Sequence, residues 1–183
     1  MNTLVEPLRA TNETIEAFAS TFRRKLGIAP EDRIAASGRL LECVEKTGGT
    51  ISIVDSPASY ETEGGSLVIR GPHDYTIHLS PYTTPLRDNF TIGHELGHYV
   101  LHFMPKCDEL AGELPLIFAR YGTGLLEWQA NRFAAALLLP QSAFVKAHRD
   151  LDGDIERLAG RFSVSIPAVE IRAKSLGLIK NDD

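Results

Sequence analysis

Cysteine, excess basic charge and long apolar runs are all scarce in this 183-residue chain. The two cysteines, Cys43 and Cys107, form no CxxC pair, which argues against a disulfide scaffold and indicates a reducing compartment. The net charge of −5 gives no general attraction to nucleic acid or anionic membranes. No apolar run approaches the ~18 residues of a membrane span, and the N-terminus lacks a signal-peptide pattern. We therefore expect a cytoplasmic protein that does not bind membranes.

The centre of the chain carries His94-Glu95-Leu96-Gly97-His98, a His-Glu-x-x-His motif. Histidines four residues apart on a helix lie about 6 Å apart on one face, so both imidazoles can reach one metal ion. Glu95 points near that ion without having to bind it, which is where a general base must stand. We predict a helix over about 89–103, with His94 and His98 as metal ligands and Glu95 as the catalytic base.

A second helix, predicted over about 125–139 and ended by Pro140, supplies a candidate third ligand. Its apolar positions nearly encircle it, so we expect it to be deeply buried. A carboxylate in so apolar a helix is costly unless it is paired or binds a metal ion, which makes Glu127 the natural ligand. Asn131 lies one turn later on the same face. Zinc is the default ion for two histidines and a glutamate, with manganese or iron as alternatives.

The remaining pattern predicts an α+β fold, mainly helical, with a small, mostly antiparallel β-sheet. A helix is predicted over 13–26 and another opens at Pro30 and ends at Gly48-Gly49. Strands are predicted over 50–54, 66–70 and 75–79, the last two joined by a tight hairpin, and residues 104–124 form a long connection. An edge strand of such a sheet is a candidate site for an extended peptide. The alternative is that the sheet only supports the site helix.

Residues 152–179 have the spacing of two helices joined by a short turn, like the helix-turn-helix of DNA-binding proteins. From Asp150 to Asp183 the chain has five Lys or Arg and seven Asp or Glu, a net charge of −2. A DNA reader needs cations that neutralise phosphate, so we expect a protein-contacting or structural tail rather than direct DNA binding. The predicted division is a metallopeptidase domain over 1–149 and a helix-turn-helix-like tail over 150–183.

Taken together, the His94–His98 motif, the downstream Glu127-x-x-Ala130-Asn131-x-Phe133-Ala134 and Leu138-Leu139-Pro140 resemble the ImmA/IrrE family of metallopeptidases. The resemblance covers roughly residues 88–140. It implies a zinc-dependent, gluzincin-like endopeptidase that cleaves a helix-turn-helix repressor of mobile-element or stress-response genes. By position it implies His94, His98 and Glu127 as zinc ligands and Glu95 as the base. Asn131 stands where gluzincins often have an aspartate that holds a ligand histidine.

Two other functional classes remain open on the sequence alone. A zinc-stabilised, non-hydrolytic regulatory module could bind such a repressor without cutting it, although a structural site has no need of Glu95. A DNA-binding regulator acting through the tail is the third class.

Three further side chains are candidates for stabilising the oxyanion of the transition state: Tyr99, His102 and Tyr121. For His102 two other readings are open. It could be a fourth metal ligand, which would close the site, or a histidine interacting with the free carbonyls at the end of its helix.

Overall fold

A computed structural model describes residues 5–53, 66–119 and 124–180. Within these ranges seven helices accompany a four-stranded sheet, which confirms the predicted α+β class. The helices are α1 (Asn12–Lys25), α2 (Arg39–Lys46), α3 (Pro85–Gly97), α4 (Leu125–Leu138), α5 (Gln141–Asp150), α6 (Ile155–Phe162) and α7 (Ile166–Ser175). The strands are β1 (Gly49–Ile53), β2 (Ser66–Gly71), β3 (Asp74–Leu79) and β4 (Leu116–Ala119).

The described sheet has the strand order β1-β3-β2-β4, with two antiparallel pairs and one parallel pair. Strands β2 and β3 form the predicted hairpin, and β1 runs parallel to β3. The prediction of a long connection over 104–124 is wrong at β4, which pairs with β2. Four residues surrounded by glycine and proline are too weak a local signal, and the pairing partner lies about 50 residues away in the sequence. β4 forms one edge of the described sheet.

The second predicted helix begins later than expected. Residues 30–31 and 34–37 form turns, and α2 starts only at Arg39. The buried guanidinium of Arg23 donates to the main-chain carbonyl of Asp32 at 2.7 Å, which holds this segment outside a helix. Gly38 then takes a left-handed conformation, with φ at +72°, which an α-helix cannot contain.

The site helix α3 begins four residues before the predicted start at 89. The hydroxyl of Thr84 accepts a hydrogen bond from the main-chain N–H of Arg87, and Pro85 occupies the first helical position, where its missing N–H costs nothing. Beyond Gly97 the helix continues as a π-helical turn over His98–Phe103, so its end agrees with the prediction. A π-helical turn is wider than an α-helical turn, and such turns often occur at functional sites.

Helices α3 and α4 pack against each other at unusually short range. A Cβ atom at Gly97 would lie only 2.9 Å from the Cα of Ala130, and one at Gly93 would lie 3.3 Å from the Cβ of Ala134. The two glycines therefore allow the backbones to approach. This contact brings the helix with the two motif histidines against the helix with Glu127.

The helical tail packs into the same hydrophobic core as the rest of the chain. Leu158, Phe162 and Val169 are buried in one continuous cluster with residues of α1, α3, α4 and the sheet. Helix α5, which was not predicted from the sequence, leads from α4 into this tail. The domain boundary at 149/150 stays a prediction. Among the described residues no helix is both long and apolar enough to cross a membrane.

Candidate metal centre

Three side chains from α3, its π-helical continuation and α4 converge on one point. The Nε2 atoms of His94 and His98 are 3.1 Å apart. Glu127 reaches both: Oε2 lies 3.1 Å from Nε2 of His94, and Oε1 lies 3.2 Å from Nε2 of His98. The two histidines are 1% exposed, and the Glu127 side chain is 15% exposed. The structure thus brings together the three residues predicted as ligands.

The spacing and chemistry of these atoms fit a metal ion. Bonds of about 2.0–2.1 Å in a tetrahedral site separate the ligand atoms by roughly 3.3 Å, close to the 3.1–3.2 Å observed here. A histidine nitrogen that ligates a metal must be unprotonated. Two bare imidazole nitrogens facing a carboxylate would repel one another, and a cation between them removes that repulsion.

His94 is oriented by Asn131, one turn after Glu127 on α4. The Oδ1 atom of Asn131 lies 2.8 Å from Nδ1 of His94. Because an amide oxygen can only accept, Nδ1 of His94 carries the proton and Nε2 is left free to bind a metal ion. The expectation that Asn131 offers a neutral acceptor to a ligand histidine agrees with this contact.

His98 is oriented by a different set of side chains. Its Nδ1 atom lies 3.1 Å from Nδ1 of His102, and Nε2 of His102 lies 3.0 Å from Oε1 of Gln129. Gln129 is itself held by the main chain of Leu8: its Nε2 donates to the Leu8 carbonyl at 2.7 Å, and its Oε1 accepts from the Leu8 N–H at 3.1 Å. His102 and Gln129 are both fully buried.

Burial and the neighbouring groups set the charge states around this point. Burial by itself would raise the pKa of Glu127, but the hydrogen bonds with His94 and His98 outweigh it and hold that pKa at about 2. Burial lowers the pKa of His98, and burial followed by repulsion from His98 lowers the pKa of His102 to about 4. A carboxylate facing neutral imidazoles is the charge state that divalent cation binding needs.

The predicted base, Glu95, is 1% exposed and lies beside the same two histidines. One ligand atom each of His94, Glu95 and His98 lie within 4.8 Å of one another, close enough to share a metal ion. The two carboxylate oxygens of Glu127 each lie against one Nε2 atom, at 3.1 and 3.2 Å, which agrees with the prediction of Glu127 as the third ligand. The roles of these four residues remain predictions.

Two of the three candidate oxyanion stabilisers are engaged elsewhere. The hydroxyl of Tyr99 donates to the carbonyls of Pro72 and Thr47, and its ring stacks on Tyr75. Both ring nitrogens of His102 are used by His98 and Gln129, so His102 is neither a fourth ligand nor a histidine capping the helix carbonyls. Both of those readings of His102 are therefore wrong. Tyr121 lies outside the described residues.

Sequence reasoning missed Gln129 and Phe118. Gln129 follows Glu127 by two positions in the same apolar helix, so the argument that a buried polar group needs a partner applied to it equally. Phe118 of β4 packs on His98, with ring centroids 4.9 Å apart, and no local pattern marked it.

Comparisons with known proteins agree with this architecture. A solved structure of a protein described as "Mycobacterium tuberculosis transcriptional regulator" has a TM-score of 0.60 to this chain at 19% identity, over 88% of this chain and 46% of that one. That likeness concerns the fold, and this chain spans less than half the length of its relative. No protein with curated annotation matches the sequence.

A family profile covers most of the chain, and it includes every residue of the candidate centre. The profile of the IrrE N-terminal-like domain matches residues 51–174, more than half of the sequence. The family resemblance found in the motifs is thereby confirmed. The chain belongs to the IrrE N-terminal-like domain family, peptidase family M78.

Proposed function

We propose that this chain is a zinc-dependent endopeptidase in which His94, His98 and Glu127 hold the metal ion and Glu95 is the general base. The observation that carries the proposal is the triangle formed by the two Nε2 atoms and the Glu127 carboxylate, with edges of 3.1–3.2 Å. A second carboxylate, Glu95, lies buried beside it. A three-ligand set with an adjacent carboxylate is the arrangement of a hydrolytic rather than a structural zinc site.

Each protein group has a defined task in peptide-bond hydrolysis. Zinc, when bound, lowers the pKa of a water molecule toward ~7 and polarises the scissile carbonyl. Glu95 accepts the proton of the attacking water and later delivers it to the leaving amine. Asn131 keeps the proton of His94 on Nδ1, which leaves Nε2 unprotonated and able to bind a metal ion. The buried surroundings of both histidines limit competing contacts with solvent.

The edge strand β4 supports binding of an extended peptide near the metal centre. Phe118 of β4 packs on the ring of His98, so this edge lies directly beside a proposed ligand. The side chain of Ile117, on the opposite face of the strand, is 62% exposed. A substrate strand could pair with β4 by main-chain hydrogen bonds, which hold a peptide without demanding a particular side chain.

The proposed substrate is a helix-turn-helix transcriptional repressor. Its cleavage would derepress the transcription of mobile-element or stress-response genes. Membership in this peptidase family supports a proteolytic role, and the likeness to a transcriptional regulator supports a regulatory one. We expect the reaction to occur in the cytoplasm, where such repressors occupy DNA. Direct DNA binding by this chain is not part of the proposal, since the tail carries net negative charge.

The second candidate is a zinc-stabilised module that binds the repressor without cutting it. The helix-helix packing around the centre would serve this role equally well. The buried Glu95 favours hydrolysis. Burying a carboxylate destabilises the fold, and a non-hydrolytic module has no use for a carboxylate that neither binds the metal nor accepts a proton.

The test is incubation of the protein with the helix-turn-helix repressor encoded nearest its gene, in the presence of Zn²⁺ or Mn²⁺. Wild type, Glu95→Gln and Glu127→Ala are compared on a gel, and the metal content of each protein is measured. We expect wild type alone to cleave, Glu95→Gln to keep its metal ion, and Glu127→Ala to lose it. The control is Glu45→Gln, which makes the same chemical change on the exposed surface of α2.

Each outcome separates the two functions. Cleavage by wild type and by Glu45→Gln, but not by Glu95→Gln, supports the peptidase. Normal cleavage by Glu95→Gln would show that the assigned base is wrong. An intact repressor that binds both wild type and Glu95→Gln in the presence of metal would favour the non-hydrolytic module.

A further inference from the structure

We propose that His102 and Gln129 are positioning residues for His98. The main chain of Leu8 fixes the orientation of the Gln129 amide, which fixes the tautomer of His102 and through it that of His98. Nε2 of His98 is thereby kept unprotonated and able to bind the metal ion. The inference rests on the proposed metal site and deepens it. It makes the segment before α1 part of the support of the metal centre, although Leu8 and Gln129 are 121 positions apart in the sequence.

The first link fixes which way the amide of Gln129 points. The N–H of Leu8 can only donate and its carbonyl can only accept. Leu8 therefore accepts from the amide nitrogen of Gln129, at 2.7 Å, and donates to the amide oxygen, at 3.1 Å. Rotating the amide by 180° would place like groups against each other at both contacts. The oxygen of Gln129 thus stays on the side of His102.

The second link fixes the tautomer of His102. Its Nε2 faces the oxygen of Gln129 at 3.0 Å, and an oxygen that can only accept requires a proton on that nitrogen. His102 is 1% exposed, and its hydrogen-bonding neighbours are one imidazole, that of His98, and the amide of Gln129, so a charged ring would be costly there. The neutral ring with Nε2 protonated leaves Nδ1 unprotonated.

The third link reaches the proposed ligand. The bare Nδ1 of His102 lies 3.1 Å from Nδ1 of His98, so His98 must donate its proton at that position. Its Nε2 is then unprotonated and points toward His94 and Glu127. The opposite direction would leave Nε2 of His102 bare against the oxygen of Gln129, with two acceptors in contact.

The two proposed ligand histidines are therefore held by different means. Asn131, which orients His94, is an exposed residue of α4, so that contact competes with water. The His98–His102 and His102–Gln129 contacts are buried in the core, where an unpaired donor or acceptor has no substitute partner. The π-helical turn over His98–Phe103 places His102 against His98 within a single helix.

The first experiment measures the dissociation constant for Zn²⁺ of the full chain by competition with a chromophoric chelator. Wild type is compared with His102→Leu and His102→Asn. Asparagine places an oxygen near the position of Nδ1 and can still accept from His98, whereas leucine cannot. We expect His102→Leu to weaken zinc binding about ten- to hundredfold and His102→Asn to recover most of that loss. The visible spectrum of the Co²⁺ form should change in His102→Leu and return toward wild type in His102→Asn.

The second experiment tests whether Gln129 acts through His102. Gln129→Met keeps the volume of the side chain and removes both hydrogen-bonding atoms. We expect it to weaken zinc binding several-fold in the wild-type background and to have no further effect in the His102→Leu background. This non-additivity is the signature of residues in one chain of contacts, since independent sites have additive effects. Residues that only stabilised the fold would lower the melting temperature of the metal-free protein and leave the zinc affinity of the folded protein unchanged.

The outcomes distinguish this inference from the proposed function. Zinc affinity equal to wild type in His102→Leu, or additive effects of the two substitutions, would overturn the proposed positioning roles of His102 and Gln129 while leaving the metal site intact. If His102→Leu does not fold, Gln129→Met decides alone: wild-type zinc affinity in that variant overturns the proposed positioning roles. If wild type itself binds neither Zn²⁺ nor Co²⁺, the proposed function fails and the inference fails with it.

Discussion

The Oδ1 atom of Asn131 lies 2.8 Å from Nδ1 of His94, across the contact between the two helices that carry the proposed ligands. One residue of α4 thereby orients the imidazole on α3, and Glu127, one turn earlier, faces the same ring from its other side. The geometry of the candidate metal centre therefore depends on how these two helices pack. That dependence leads to the first three predictions.

Replacing Asn131 by leucine should weaken zinc binding about ten- to hundredfold, because Nδ1 of His94 loses its acceptor and the wrong tautomer becomes accessible. Asn131→Asp should bind zinc at least as tightly as wild type, since a carboxylate also accepts from Nδ1 and makes the imidazole more basic. Chelator competition measures both. Equal affinities for wild type and Asn131→Leu would contradict the assigned contact.

Removal of the metal ion should lower the stability of the protein. Zinc at a free concentration of about 100 times its dissociation constant stabilises the folded state by about 2.7 kcal/mol, because the preformed site exists only there. Differential scanning fluorimetry with and without EDTA should therefore show a shift in melting temperature for wild type. Glu127→Ala should show little or no shift. A shift of the same size in that variant would place the ion elsewhere.

Substitution of Gly97 by alanine should destabilise the protein by about 1–3 kcal/mol, as overpacking does in a tight core. The new Cβ would lie 2.9 Å from the Cα of Ala130, and neither backbone can yield without separating the two helices. Gly93→Ala is the matched control. Its Cβ would meet Ala134 at 3.3 Å, so the higher helix propensity of alanine, about 1 kcal/mol, offsets most of the strain. Urea denaturation of both variants measures the difference, and equal losses would contradict this packing.

Substitution of Arg172 by methionine should also destabilise the fold, through the tail. The Arg172 side chain is 1% exposed, donates to the carbonyl of Leu139 at 2.9 Å and forms an ion pair with Glu16. Removing one partner of a buried ion pair costs about 3–5 kcal/mol, and the partial exposure of Glu16 places the loss near the lower end. Arg161→Met, on the exposed surface of α6, should change the free energy of unfolding by less than about 0.5 kcal/mol.

The buried thiol of Cys43 should make the free energy of unfolding depend on pH in the alkaline range. Burial raises the pKa of Cys43 from 9.0 to about 11, because the thiolate is poorly solvated in the core. A pKa that is higher in the folded state gives a stability contribution that is complete below about pH 9 and declines as the pH rises toward 11. Unfolding free energies of wild type and Cys43→Ala, measured from pH 8 to pH 11, should differ by less at the alkaline end. A constant difference would contradict the shift.

The same burial predicts the reactivity of the two thiols. In the native protein at pH 8 a disulfide reagent should modify Cys107, which is partly exposed, and leave Cys43 unmodified. Denaturation should expose the second thiol. Rapid modification of both thiols in the native state would show that the core around Cys43 opens readily.

Local sequence determined much of this protein. Three local signals were used: the spacing of His94 and His98, the positions of proline and glycine, and the periods of the hydrophobic residues. They predicted the site helix, the helix carrying Glu127, the β2–β3 hairpin and the α+β class. Each of these features depends on residues close together in the chain. The apolar character of α4 also singled out Glu127, since a carboxylate there needs a partner.

Tertiary structure alone decided the relations between distant residues. The strand β4 forms through its pairing with β2. The second helix begins at Arg39 rather than at Pro30 because Arg23 binds main-chain carbonyls of the preceding segment. His102 contacts the side chain of Gln129, which is held in turn by the main chain of Leu8, a residue 121 positions away in the sequence. A hydrogen bond between groups more than 100 positions apart produces no local pattern in the sequence. Its donor and acceptor come within reach of each other only after the two backbone segments have packed together.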